Sequence, residues 1–392
     1  MKRNIKIMYI MALLQGMVFY GPIATLYRQV QGISVFQITI IEGISLALTL
    51  ILEIPWGVAA DKIGYRRTII ICSWLYFISK IVFWQATDFN AFLIERVLLS
   101  VILAGLSGVD SSILYLSNQG KDMQKVYGRY NTMGMLGLLL AASVFSAFVR
   151  DNYPLAGLLT TISYGFAALL SLGIKEVKPQ KTETVIQEPF MTTFRETFRN
   201  KSLILFLIAV AFLSEVHQTI TVFLNQLKYE SCGMNNSAIG VIYIIATILG
   251  LLGVCSSAVT KRIGLLRSLV LFCLLPVISC LFLGLSDSAF PSIFGVLTLR
   301  ISNTLFQPFQ EELQNKQIKT QNRATALSIH SMLKSCVAIG TNLLFGALSD
   351  WNLSVAFFFG SGICILSLAF FVFWFITNER PHQTPETNFG DY

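Results

Sequence analysis

The amino-acid sequence predicts an all-α membrane protein of twelve spanning helices, arranged as two related six-helix bundles. Three observations carry that expectation. The 392 residues are 54% hydrophobic and only 13% charged, against about 25% charged in an ordinary soluble domain, and the mean hydropathy is +0.65. Twelve apolar runs follow one another, each near the roughly 20 residues that cross a hydrocarbon core of about 30 Å as a helix. One long polar stretch, "KEVKPQKTETVIQEPFMTTFRETFRNK", divides the runs six from six, and a charged sequence recurs on either side of it.

The first run, near 5–26, follows Met1-Lys2-Arg3. It is too long for a signal-peptide core and has no clean small-residue cleavage site, so it reads as a spanning helix. Tyr20, towards its far end, is a candidate for an aromatic wall of a substrate cavity. The second run, near 36–60, carries Glu42 and Glu53, eleven residues apart and therefore on one helical face about three turns from each other. A charge at the bilayer centre costs roughly 2.5 to 3.5 kcal/mol on the lenient insertion scale, so each such residue asks for a role or a partner. Glu42 is expected either to carry a proton or to hold a neighbouring helix, and Glu53 lies close to the polar turn that follows.

The third run, near 68–87, contains Lys80, and the fourth, near 91–117, carries Arg96, Ser100, Ser107, Asp110 and Ser111 near one stripe. That stripe faces a cavity or a partner helix. Asp110 is the candidate proton carrier, while Arg96 is close enough to the end to snorkel to water. The fifth and sixth runs lie near 127–149 and 154–174. Within the polar stretch Phe190, Phe194 and Phe198 recur every four residues beside Met191, with Arg195 and Arg199 facing elsewhere, as in an amphipathic helix at a membrane interface.

The seventh run, near 202–224, brings Glu215, His217 and Gln218 to its middle: a second protonation candidate and two candidate cavity residues. The eighth and ninth fall near 235–259 and 267–286. In the tenth, near 289–314, Arg300, Asn303, Gln307 and Gln310 recur at three and four, a polar line that reads as cavity lining or as interhelical glue. The eleventh, near 326–348, carries His330 and Lys334, and the twelfth is near 353–377. The domains are expected at 1–174 and 202–378, joined by a linker at 175–201 and followed by a tail at 379–392.

The net charge of +8 is distributed as a membrane topology signal and not as a nucleic-acid patch. With the N-terminus inside, 22 of the 29 basic residues fall on the cytoplasmic side. The external loops keep Arg28, Arg150 and Lys228, so both termini are expected in the cytoplasm of a multi-pass cell-membrane protein. The seven cysteines lie mostly inside apolar runs and show neither disulfide nor metal-ligand spacing. No catalytic triad, metal cluster or phosphate-binding loop is present, so no enzyme and no cofactor is expected.

Behind the second run stands "GVAADKIGYRR". Two hundred residues on, "SAVTKRIGLLR" places Arg262, Gly264 and Arg267 over Lys62, Gly64 and Arg67, with Lys261 where the first copy has Asp61. The first copy, through Gly57, Asp61, Lys62, Gly64, Arg66 and Arg67, resembles the signature loop of the major facilitator superfamily. "LEIPWG" (Glu53, Pro55, Gly57), "SGVDSSILYL" (Gly108, Asp110, Ser111) and "NRATALSI" look like bacterial drug-exporter members, and "FGALSD" (Gly346, Asp350) repeats the G-x-x-x-D element at the far end of the eleventh helix. The resemblance implies two six-helix domains rocking about a midplane cavity. It further implies a monomeric, proton-coupled exporter of a small amphiphilic or drug-like compound, and an Asp61 set against the start of the eleventh helix as a latch. The fifth run lacks the Gly-Pro pair of many drug antiporters, which favours the alternative of a nutrient importer or uniporter. A non-transporting receptor or scaffold is the reading from a different class.

Overall fold

The computed structural model describes residues 2–107, 109–118, 123–177, 190–317 and 323–379. Glu53, Gly57 and Asp61 are described as backbone only. Expectations placed on the side chains of Phe190 and Met191, on some of the basic residues counted as cytoplasmic, on Gly108 and on the tail from 380 lie outside the described residues.

Among the described residues every regular element is a helix, and twelve are long and apolar enough to span a membrane. They are α1 (Arg3–Val30), α2 (Val35–Ile63), α3 (Tyr65–Gln85), α4 (Phe89–Ser117), α5 (Val126–Val149), α6 (Tyr153–Ser171), α7 (Lys201–Ser231), α8 (Asn236–Gly253), α9 (Leu265–Leu285), α10 (Ala289–Lys316), α11 (Arg323–Trp351) and α12 (Leu353–Glu379). Several starts are fixed by a side chain that accepts from a backbone N–H left without an intrahelical partner: Asp88 from Ala91, Asn152 from Leu155, Asn200 from Leu203 and Asn235 from Ala238. Each such cap is worth about 1 kcal/mol.

The face of the bundle that carries the N-terminus is called proximal below, and the opposite face distal. The proximal turn after α2 corrects one expectation. Gly57 lies inside the helix, which runs on to Ile63, so the chain reverses at Gly64 alone. Gly64 has φ +94°, and its equivalent Gly264 has φ +90°, a left-handed conformation that glycine adopts without a Cβ penalty. The repeat therefore survives in the backbone where side chains have diverged. Arg66 Nε donates to the carbonyl of Ile174 at 2.6 Å, tying this turn to the end of α6.

Several spans depart from regularity, α1 being interrupted after Gly16, α5 ending in a π-helical segment Phe145–Val149 and α8 passing into a 3-10 segment Gly250–Cys255, and in two the departure falls beside a candidate site residue. The fourth span is two helices, Phe89–Leu106 and Val109–Ser117, parted where Ser107 adopts an extended ψ of 109°. In α7 a π-helical segment, Thr219–Leu224, follows immediately on Gln218. Such segments shift the register of the side chains beyond them and recur at functional sites.

Helix pairing repeats between the halves. In the first, α1 packs on α5 and α6, α2 on α4, and α3 on α4 and α6; in the second, α7 packs on α11 and α12, α8 on α10, and α9 on α10 and α12. The halves meet along α2 with α11 and α5 with α8. One hydrophobic cluster runs through both halves, joining Phe19, Ile23, Ile41 and Phe145 of the first to Phe206, Ile220, Ile239 and Phe345 of the second. A separate one, built of Met8, Ile69, Val109, Ile113, Val126 and Ile174, stays within the proximal part of the first half. The linker helix Phe190–Arg199 lies against α7 and α11, with the Phe194 and Phe198 rings 4.5 Å apart and Arg195 and Arg199 exposed.

Candidate substrate cavity and gates

A cavity of about 580 Å³ lies on the inner wall of the second half. Helix α7 contributes Ser214, Glu215 and Gln218, α10 contributes Asn303, Gln307, Gln310, Glu311 and Gln314, and α11 contributes Ser331, Lys334 and Ser335. Since α10 descends to the proximal face and α11 rises from it, Glu311, Gln314, Leu327 and Ser331 mark the proximal end of this cavity.

The polar groups are held in defined positions. Glu215, buried, accepts a hydrogen bond from Thr219 Oγ1 at 2.8 Å, the first residue of the π-helical segment. Gln314 accepts from Lys334 Nζ at 3.1 Å and faces His330 Nδ1 at 3.2 Å. Among the described residues Asn303 Oδ1 and Gln310 Oε1 are buried acceptors with no partner, two carbonyl oxygens at the wall that can take donors.

The sequence line through α10 divides in two. Asn303 and Gln307 line the cavity with Glu215 and Gln218, whereas Arg300, one turn nearer the distal face, borders a different compartment and donates from Nε to the Ala246 carbonyl at 3.2 Å. His217 is 0% exposed and lies outside the lining. Two residues from Glu215 is about 200° round a helix, so the two side chains leave opposite sides of α7. Tyr20 is also absent from the lining; it is buried in the first half, stacked on Phe83 at 4.0 Å between ring centroids.

Tyr20 belongs to a charge network that the sequence did not disclose. Lys80 on α3 pairs with Glu95 on α4 at 3.2 Å and donates to Tyr20 Oη at 3.1 Å, with the Tyr76 and Tyr164 rings within 5.8 Å of its ammonium group. Lys80 therefore does not snorkel. Neither does Arg96, which pairs with Glu42 across α4 and α2. Below that pair Ser45 and Ser100 share a hydrogen bond of 2.8 Å, so the upper part of the α4 stripe faces its partner helix. Asp110 sits apart from both, in the first turn after the break in α4, accepting from the Ser111 amide at 2.7 Å and hydrogen-bonded to Tyr130. Of Glu42, Asp110 and Glu215, only Glu215 lines the cavity.

The distal side is closed by contacts between the halves. Asp350, at the end of α11, accepts from the backbone amides of Val35 and Phe36 at 2.9 and 3.1 Å, capping the start of α2 from the other domain. One turn earlier the helices touch: a Cβ on Gly346 would stand 2.1 Å from Thr39 Oγ1. Gln226 Oε1 accepts from the Thr25 amide at 2.8 Å, joining α1 to α7, and Asn236 donates to Asp151 and Tyr153 at 3.0 and 3.1 Å, joining α8 to α5 and α6. Arg28 and Lys228, expected in loops, are buried at this face, Arg28 over the Phe83 and Phe92 rings and Lys228 paired with Asp287 at 3.3 Å.

The sequence model of the Major Facilitator Superfamily matches residues 7–310. The chain belongs to this superfamily. It is a transporter, not an enzyme, and its twelve helices have the superfamily's fold. Among solved structures a mutant of the nucleoside transporter NupG superposes with a TM-score of 0.79 at 17% identity, over 94% of this chain and 99% of that one. A bacterial homolog of the human lysosomal transporter Spinster, inward-facing and unoccupied, gives 0.71 at 14% identity over 95% and 94%. A D-xylose-proton symporter gives 0.68 at 11% identity over 93% and 97%. At these identities the likeness is one of fold. Among curated proteins none matches the chain in sequence.

Proposed function

We propose that this transporter carries a small polar solute by alternating access, coupled to a proton through Glu215, and that it stands here open on its proximal, cytoplasmic side. The lining of the cavity is the observation that carries this reading. Two carboxylates, an ammonium group, a run of carboxamides and three serine hydroxyls are suited to a solute rich in hydroxyl or amide groups, such as a nucleoside or a sugar. Its size is within the range of small-molecule sites, about 300 to 1,000 Å³. An apolar drug would leave these groups unpaired at about 1 to 3 kcal/mol each, so amphiphilic efflux fits this wall less well than the nutrient alternative.

Orientation follows from charge. Exposed bases crowd the proximal face, with Lys62, Arg67, Lys175, Arg195, Arg199, Lys201, Lys261, Arg262, Arg267 and Lys316, whereas among the described residues Arg150 is the exposed base of the distal face. By the positive-inside bias this distribution supports a cytoplasmic proximal face, and with it cytoplasmic termini. Glu215 is chosen over Glu42 and Asp110 because it borders the cavity and no cation pairs with it among the described residues, so a solute senses its protonation directly.

Flux into proteoliposomes tests the reading, with radiolabelled nucleosides, pentoses and hexoses offered with and without an imposed pH gradient. Accumulation of at least one that follows the gradient, and loses that dependence in Glu215→Gln, is expected. No flux for any of these solutes, or gradient-driven accumulation that is intact in Glu215→Gln, overturns it.

A further inference from the structure

At its proximal end the cavity holds a chain of three side chains whose hydrogen-bond directions are fixed by donor and acceptor chemistry. Lys334 Nζ donates to Gln314 Oε1 at 3.1 Å, and Gln314 Nε2 stands 3.2 Å from His330 Nδ1. An ammonium group is a donor only, so the carboxamide turns its oxygen to Lys334 and its NH2 to the ring. Nδ1 must then accept, which makes His330 the neutral tautomer that carries its proton on Nε2. Lys334 and Gln314 line the cavity, whereas His330, 1% exposed, lies behind them.

The chain is incompatible with a charged His330. An imidazolium donates from both nitrogens, so a proton added at Nδ1 would point at the Gln314 NH2. Turning the carboxamide over relieves that clash, but its NH2 then faces the Lys334 ammonium and the bond that holds Lys334 is lost. Lys334 is the charged neighbour that acts on the ring, Glu311 of α10 acts on Lys334, and α7 brings Glu215 to the same cavity. On the other elements packed against α11 the described charged side chains stand apart: Lys62, Arg195, Arg199 and Lys201 are exposed, and Glu42 is paired with Arg96.

We propose that His330 is a positioning residue for solute binding: its neutral form fixes Gln314 and through it holds the Lys334 ammonium at the proximal end of the cavity, and a proton taken up at Nδ1 lets Lys334 go. Held in place, Lys334 offers its other N–H donors to acceptors of the solute. Acid on the proximal side therefore loosens the solute without any change at Glu215. This effect on the solute rests on the cavity being the transport site, whereas the ring tautomer is independent of what is carried.

Nitrogen NMR of protein labelled at its three histidines reads the tautomer, with the His330 signals assigned by their loss in His330→Gln. In mildly alkaline buffer Nδ1 should be unprotonated and Nε2 protonated. Gln314→Glu, which presents an oxygen to each neighbour, should move a proton onto Nδ1. A proton on Nδ1 in the wild-type protein, or a tautomer unmoved by Gln314→Glu, overturns the proposal. If that variant does not fold, Lys334→Met decides: it frees the carboxamide to turn either way, and a tautomer that stays fixed refutes the chain. Solute affinity is then followed against pH in the Glu215→Gln background, where that carboxyl does not titrate. It should fall about tenfold as His330 charges, the loss of one hydrogen bond to a charged group. His330→Asn, whose carboxamide oxygen can stand in for Nδ1 and does not titrate, should remove the acid step and bind more tightly than His330→Leu. An acid step of the same size in His330→Asn also overturns the proposal. A protein that carries none of the offered solutes yet shows the tautomer and its shift in Gln314→Glu refutes the proposed function and leaves this chain standing.

Discussion

The carboxylate of Asp350 offers the most direct handle on the transport cycle, because it acts between the domains and away from the cavity. It accepts from two amides at the start of α2, those of Val35 and Phe36, where the helix dipole is positive. A carboxylate in that position stabilises by about 0.3 to 1 kcal/mol when exposed and up to about 2 when partly buried. Asp350→Asn keeps the shape and one carbonyl acceptor but removes the charge, and it also turns an amide donor towards one of the two N–H groups. Asp350 is exposed, so the distal-closed state should lose about 0.3 to 1 kcal/mol, which at about 1.4 kcal/mol per decade shifts the closed-to-open ratio roughly two- to fivefold. Spin labels at Thr87 and Ser288, on distal loops of opposite halves, would report it as a growing population at longer distance. Cys232, Cys255 and Cys336, the cysteines that are not buried, would first be replaced by serine. An unchanged distance distribution in Asp350→Asn would show that the cap contributes nothing to closure.

Gly346→Ala should block closure by placing a methyl group 2.1 Å from Thr39 Oγ1, and the double variant Gly346→Ala with Thr39→Ala should recover part of the closed population in the same distance measurement. Lys80→Met should lower thermal stability by about 3 to 5 kcal/mol, since it leaves Glu95 buried without its cation, while Lys80→Met with Glu95→Gln should cost clearly less; equal losses would mean that the pair is not coupled. Glu42→Gln should separate α2 from α4 by unpairing Arg96, reducing stability while leaving the gradient dependence of flux in place, in contrast to Glu215→Gln. Gly137→Ala should destabilise the α1 and α5 crossing by about 1 to 3 kcal/mol, because its Cβ would meet the Leu13 carbonyl at 2.0 Å, and denaturation of the purified protein measures this.

Periodicity and charge made the spans, the two halves and the cavity line Glu215, Gln218, Asn303 and Gln307 readable from the sequence, since a face of one helix is a property of one helix. What lay between helices was not readable. Glu42 and Arg96 are 54 residues apart and Lys80 and Glu95 are 15 apart, and nothing in their spacing says that each charge meets an opposite one on the adjacent helix. His217 was grouped with Glu215 by depth although the helical turn sends it the other way. Arg300 shares a face with Asn303, yet three residues, about 4.5 Å of rise, set it against a separate compartment. The extended Ser107 that breaks α4, and so puts Asp110 at a helix start, leaves no mark stronger than a neighbouring glycine. The signature loop was legible as a motif, but not that its first glycine is helical.

The pairing of Lys80 with Glu95 and of Arg96 with Glu42 bears on how the transporter responds to voltage. A unit charge carried through the membrane field gains or loses about 2.3 kcal/mol per 100 mV. Both pairs are held inside the first half, on helices that pack together, so the rocking of that domain moves them as dipoles of zero net charge. The electric work of a cycle then falls on the solute, on any proton taken up at Glu215 and on the charged groups that have no ion pair among the described residues, Arg28, Asp110, Arg300 and Lys334 among them. A transient current measured on solute addition would accordingly carry no contribution from either of these two pairs.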